Sequence, residues 1–213
     1  AHIVAERPNF GYDFGGYRDG LWLINQIGLK PKNILFLNDS IWFPAREKQS
    51  LLTELFQPDV EYTGVQIFDH SNKGNIRRSM FGSYCFAVNE RLLKNIEFID
   101  FWENYKLSSN KEITLRRGER AFSNRMMKAT KHYHGIYSLD RFNAIIEGLK
   151  PDTLREALGD MIAIAPHLES KRLQLLSDKI TMHWINDAKN LLQEGAKTKN
   201  YIGSSPILSI REM

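Results

Sequence analysis

Cysteine is nearly absent: the 213-residue chain has one, Cys85, set between Tyr84 and Phe86. A disulfide framework is thereby excluded, as is a zinc site built on paired cysteines. Its apolar neighbours make Cys85 a buried structural thiol suited to a reducing cytoplasm. Long apolar runs are missing too. No stretch approaches the ~18 consecutive apolar residues that span a bilayer, so membrane contact is expected to be peripheral. The dinucleotide fingerprint G-x-G-x-x-G and the nucleophile elbow G-x-S-x-G do not occur, and no internal repeat or low-complexity tract is found. Charge of neither sign collects in a run. The 29 Lys and Arg stand against 25 Asp and Glu, a formal net charge of +4. That mild excess suits phosphate-bearing small molecules or an anionic membrane surface and does not require nucleic acid.

What is present is a globular composition, with 42% hydrophobic, 25% charged and 11% aromatic residues. A chain of this size buries roughly 70% of its unfolded surface and needs no staple. Hydrophobic periodicity predicts a strand over residues 2–6, a glycine-rich turn over 7–16 and a helix through Leu21, Leu23, Ile24 and Ile27 capped by Gly28. Asn33 to Leu37 is apolar on both faces, the pattern of a buried central strand, and ends at Asn38-Asp39-Ser40. Further on, the pattern predicts a helix over 47–56, strands over 61–68 and 80–88, a polar basic loop over 69–79 and a helix over 89–105. A polar connection over 106–118 and a helix from Glu119 to Thr130 complete this part. From Pro151 the chain is mainly helical, with Leu154, Leu158, Ile162, Leu173, Leu176, Ile180 and Trp184 as apolar positions. The fold class is therefore α/β, with a core over 1–150 and a helical C-terminal extension over 151–213 packing on it.

Three segments carry chemistry. In R-P-N-F-G-Y-D-F-G-G, glycines let backbone N–H groups approach a phosphate or ribose, Asn9 and Asp13 can bond sugar hydroxyls, and Arg7 or Arg18 can pair with a diphosphate. A turn serving geometry alone, with Tyr12 and Tyr17 as packing, is the competing reading. In N-I-L-F-L-N-D-S, polar oxygens at the carboxyl end of a buried strand can hold a hard divalent cation; turn or cap duty for the same residues is the alternative. In R-R-G-E-R, Glu119 at a helix start can act as a general base, against the alternative of a solvated ion-pair cluster. Arg116, Arg117, Arg120 and the helix N-terminus are expected to lower its pKa.

Other clusters carry less. His132 and His134 share a strand face but have no third ligand at zinc spacing, and Cys85 has no activating histidine nearby in sequence. His183, beside Trp184, is a candidate neighbour for a phosphate. Lys73, Arg77 and Arg78 are too interleaved with acids to indicate a nucleic-acid groove.

Arg7-x-Asn9-x-Gly11-Tyr12-Asp13-Phe14 followed by Leu37-Asn38-Asp39-Ser40 and Pro44 resembles the rhamnan synthesis protein F family of bacterial polysaccharide glycosyltransferases. Weaker matches follow in order: Gly82-Ser83-Tyr84, Phe98, Phe101-Trp102, Glu119, then Ser205-Pro206-Ile207-Leu208 with Arg211-Glu212. The resemblance implies a GT-A-like, Rossmann-like mixed sheet flanked by helices. It also implies an N-terminal strand-helix unit, normally preceding the Asn9 segment, that is missing here.

The implied reaction is transfer of a sugar, rhamnose in many members, from a nucleotide-sugar donor to a glycan or lipid-linked acceptor in bacterial surface polysaccharide synthesis. A noncatalytic glycan- or nucleotide-binding module derived from such a domain is the alternative. By the resemblance Arg7, Asn9, Gly11, Tyr12, Asp13, Asn38, Asp39 and Ser40 line the donor site, and Glu119 is the base of an inverting mechanism. Asp39 is the one carboxylate in the place of the D-x-D metal motif, so Mg or Mn would bind there. Arg77, Arg78, Arg117 or Arg211 would stabilise the leaving diphosphate, and the loop over 69–79 would close on the substrates. The expected location is the cytoplasm, at the inner face of the membrane, with peripheral association and no nucleic-acid partner.

Overall fold

The computed structural model describes residues 3–39, 51–68, 79–161 and 165–197. The expectations for residues 40–50, 69–78, 162–164 and 198–213 lie outside the described residues. The chain divides into two compact units, 1–136 and 137–213.

The first unit is a mixed α/β assembly with an open sheet and flanking helices. Residues 3–10 form no strand, and α1 (Tyr12–Gln26) begins inside the stretch expected to be a glycine-rich turn. The apolar positions explain the early start, because Phe14 and Tyr17 are buried and a helix presents both to one side. At its end Gly28, at φ 70°, and Leu29 donate to the carbonyls of Asn25 and Ile24, the Schellman closure expected from Gly28.

The sheet runs β1 (Asn33–Leu37), β4 (Cys85–Asn89), β2 (Tyr62–Phe68) and β3 (Met80–Phe81), with β5 (Tyr133–Tyr137) also paired to β2. The β1–β4, β4–β2 and β2–β3 pairings are antiparallel. Contrary to its central-strand pattern, β1 has one strand partner among the described residues, and Leu37 is 37% exposed. The strand expected over 80–88 is two strands, because Gly82, Ser83 and Tyr84 break the ladder. Asn89 caps α3 (Glu90–Leu93) and Asn95 caps α4 (Ile96–Asn104), so the helix expected over 89–105 is interrupted where the Asn95 side chain accepts from the Glu97 N–H. The short α2 (Leu51–Leu55) lies between β1 and β2 in the chain.

Residues 106–118 are not simply a connection. Asn110 caps α5 (Lys111–Thr114), which continues through a π-helical segment (Leu115–Arg120) into α6 (Ala121–Ala129). Of the helices, α1, α4 and α6 share an aromatic core with the sheet. Phe36 stacks on its register partner Phe86 at 4.5 Å, and Phe14 stacks on Trp102 at 5.5 Å, within the range where rings add stabilisation beyond their area.

The second unit contains α7 (Leu139–Gly148), α8 (Pro151–Asp160), α9 (Pro166–Ser177) and α10 (Met182–Lys197). Proline in the first turn starts α8 and α9, where its missing N–H costs nothing. Leu154, Leu158 and Trp184 are buried as expected, and the Trp184 indole donates to the Leu175 carbonyl at 2.7 Å. Leu173 and Ile180, expected in the core, are 55% and 38% exposed.

Candidate functional site

Asp13 sits in the first turn of α1 and Asn38 just past β1, where the sheet ends. The Asn38 amide donates to Asp13 Oδ2 at 2.9 Å, and the Asn38 backbone N–H donates to the Tyr84 carbonyl at 3.2 Å. Two of the sequence-predicted segments therefore meet. The α1 start is shaped for this by two successive left-handed residues, Gly11 at φ 86° and Tyr12 at φ 51°. A Cβ at Gly11 would come within 2.6 Å of the Leu107 side chain, and a positive φ in tyrosine is a strained conformation of the kind found at functional sites. The Tyr12 hydroxyl donates to the Ser109 carbonyl at 2.9 Å, anchoring that turn.

Glu119 arrives from the π-helical segment, a rare geometry concentrated at functional sites. The wide turn fits because Gly118 has no side chain: a Cβ there would stand 2.8 Å from the Tyr105 hydroxyl and 3.0 Å from the Phe14 ring. The Ser83 side chain stands beside the half-buried Glu119 carboxylate and favours its ionised form. Burial raises the pKa of Glu119 above the ordinary glutamate value and the negative charge of Asp13 adds to the rise, while Ser83, Arg120 and Lys111 oppose it. The lowering expected from the neighbouring arginines does not prevail. Arg116, Arg117 and Arg120 are exposed to water, which screens them, whereas the loss of hydration acts on Glu119 directly.

Tyr17 joins these pieces. Its buried hydroxyl donates to the Ser83 carbonyl at 2.8 Å, so Ser83 is held from α1 through its backbone beside Glu119. Burial, followed by the negative charges of Asp13, Glu119 and Asp39, raises the Tyr17 pKa and keeps the phenol neutral. Tyr17 and the hydroxyl of Ser83 are the participants that sequence reading missed. Tyr17 read as packing, and a bond to a backbone carbonyl leaves no trace in residue type.

The remaining predicted residues take other positions. Arg7 donates to Asp19 at 2.7 Å and to the Phe10 carbonyl at 2.5 Å, bracing the approach to α1. Asn9 and Asp39 are exposed. Ser40, Arg77, Arg78 and Arg211 lie outside the described residues. His183 is exposed and faces Asp187 at 3.2 Å. Among the described residues no group of three or more His, Cys, Asp or Glu side chains is placed to hold a metal ion. No helix of the described residues is long and apolar enough to cross a membrane.

A half-buried carboxylate whose pKa burial raises can accept a proton from a hydroxyl group brought beside it. Comparison with known proteins bears on what that hydroxyl belongs to. The uncharacterized protein y4gN of Sinorhizobium fredii is 29% identical over 154 residues, covering 70% of this chain and 38% of that relative. The matched segment thus spans well under half the length of that relative. No solved structure matches the chain. The family model described as rhamnan synthesis protein F matches residues 2–196, and with nearly the whole chain accounted for, the protein belongs to the rhamnan synthesis protein F family.

Proposed function

We propose that the chain carries the donor-binding and base-supplying part of a glycosyltransferase that builds bacterial surface polysaccharide. The observation that carries this reading is the convergence of Asp13, Asn38, Ser83 and Glu119 around one strand end. The family name, rhamnan synthesis protein F, points to rhamnose as the first sugar to test. The fold in this reading is GT-A-like, with the donor lying over the carboxyl end of β1 between Asp13 and Asp39.

In the reaction, Glu119 accepts the proton of an acceptor hydroxyl while that oxygen bonds to the anomeric carbon of the donor. The carbon–oxygen bond to the diphosphate breaks on the opposite face, its electron pair leaves with the nucleoside diphosphate, and the configuration inverts. Burial strengthens Glu119 as a base, and the Ser83 side chain beside it favours the ionised form that accepts the proton. Arg117 and Arg120 supply positive charge for the leaving group. Magnesium or manganese at Asp39 would add the same stabilisation and would need ligands beyond the described residues.

The test is Glu119→Gln, assayed against dTDP-rhamnose and other dTDP- and UDP-sugars. The variant should bind the donor as the unsubstituted chain does and lose about 10²- to 10⁴-fold in turnover. Unchanged turnover overturns the assignment. Donor binding without transfer by the unsubstituted chain supports the noncatalytic module instead.

A further inference from the structure

A cavity of about 410 Å³ opens between α4 and α6 of the first unit, lined by Glu97, Ala121, Asn124, Arg125, Lys128 and Ala129. Its size is that of a small-molecule site. It is separate from the place where Glu119 works. Along α6, Phe122, Ser123 and Met126 are buried, whereas Ala121 and Lys128 face water, so the cavity lies on the outer face of the helix. Glu119 instead stands beside Ser83 and within reach of the Asp13 charge.

The polar groups of the cavity are held in place by one another. Arg125 donates through Nε to Glu97 and through Nη2 to Asp100, the latter at 2.6 Å, and the Asn104 amide donates to the other Asp100 oxygen at 2.7 Å. The Asn124 amide donates to the Arg120 carbonyl at 2.7 Å, which leaves its side-chain oxygen as an acceptor. Glu97, Asp100 and Arg125 keep 47%, 45% and 33% of their side chains exposed, and ion pairs this wet add little to stability. Their effect is to fix positions. Carboxylate lone pairs and the Asn124 oxygen are offered as acceptors, and the remaining guanidinium N–H groups and the Lys128 ammonium as donors.

The charges select the ligand. Glu97 and Asp100 balance Arg125 and Lys128, and the neighbouring Lys94 is paired with Glu90. A phosphate would meet two carboxylates, and a divalent cation would have to displace the guanidinium that holds both of them. An uncharged polyol fits, since each hydroxyl both donates and accepts, and the methyl groups of Ala121 and Ala129 supply an apolar strip for the C–H face of a sugar ring. We propose that this cavity is a second sugar-binding site, holding an uncharged sugar unit of the glycan apart from the hydroxyl that reacts at Glu119. The ligand class follows from the cavity; that the sugar belongs to a growing chain rests on the transferase reading.

NMR of isotope-labelled alanine methyl groups, with a rhamnose trisaccharide as the probe, tests this. The Ala121 and Ala129 signals should shift saturably, and neither inorganic phosphate nor magnesium at the same concentration should move them. Arg125→Gln, which frees both carboxylates, should weaken the trisaccharide about ten-fold. Ala121→Trp keeps both ion pairs and fills the cavity from an exposed helix position, so it should abolish the shift at Ala129 with circular dichroism and Tm unchanged. Glu119→Gln should titrate as the unsubstituted chain does. Alanine signals that stay still, that respond to phosphate, or that titrate equally in Ala121→Trp overturn the proposal. The transferase reading fails separately: no turnover with the titration intact leaves the sugar site standing, and turnover with unmoved alanine signals removes the site alone.

Discussion

Asn38 and Asp13 are 25 positions apart in the chain, and a single side-chain hydrogen bond of 2.9 Å ties the end of β1 to the first turn of α1. Asn38→Ala should cost about 1 kcal/mol of stability, the usual net worth of such a bond. Its larger effect should fall on the donor, because Asp13 loses its fixed orientation. A raised donor KM with a urea midpoint lowered by only a few tenths of a molar is the expected pattern. Asn38→Asp should be worse on both counts, since it sets two carboxylates against each other.

The pH dependence of turnover should identify Glu119 by the direction of two shifts. Glu119 works unprotonated, so the rate falls as pH drops through its pKa, which burial holds above the ordinary glutamate value. Ser83→Ala removes a hydroxyl that favours the ionised form and should move this acid limb to higher pH. Asp13→Asn removes a repelling charge and should move it to lower pH. Profiles of kcat/KM for the variants check both signs.

The same burial predicts a stability effect. In the unfolded chain Glu119 titrates near the model-peptide value of about 4.3, and in the folded chain higher. Between the two values the folded state holds more protons, so this group's contribution to stability falls as pH rises through that window and stays lost above it. Glu119→Gln should therefore melt above the unsubstituted chain at pH 7, and the gap should close below pH ~4. Thermal melts across that range provide the measurement.

Gly118 has its own prediction. Its α-carbon faces the Phe14 ring and the Tyr105 hydroxyl so closely that Gly118→Ala must push one of them or the π-helical turn aside. Overpacking of this kind costs about 1–3 kcal/mol. Because Glu119 is the next residue, kcat should fall by more than the stability loss explains. Phe14→Ala, which empties the centre of the aromatic core, should cost about 3–5 kcal/mol.

How much of this was legible in the sequence depended on the kind of signal. Gly28 was readable because a helix end requiring φ above zero selects glycine. The polar residues ending β1 were readable because an apolar run stops abruptly there. The start of α1 was misread: Gly11, Gly15 and Gly16 look like a turn, and the burial of Phe14 and Tyr17 that makes a helix worthwhile is a tertiary fact. The π-helical turn and the raised pKa of Glu119 were hidden for a similar reason. Adjacent arginines are visible in sequence, whereas the packing that removes water from the carboxylate belongs to the core that Phe14, Tyr105 and Gly118 form.

Cys85 lies directly across the ladder from Leu37, the residue before Asn38, and is fully buried. Burial pushes its thiol up to about 12, so at neutral pH an alkylating reagent meets almost no thiolate in the folded chain. Modification at that position can proceed only when β1 and β4 part. The rate of alkylation under native conditions therefore serves as a clock for opening at the strand end that holds Asn38. Because Cys85 is the chain's single cysteine and is shielded while β1 and β4 stay paired, a cysteine introduced on the surface would accept a spectroscopic probe at one defined place.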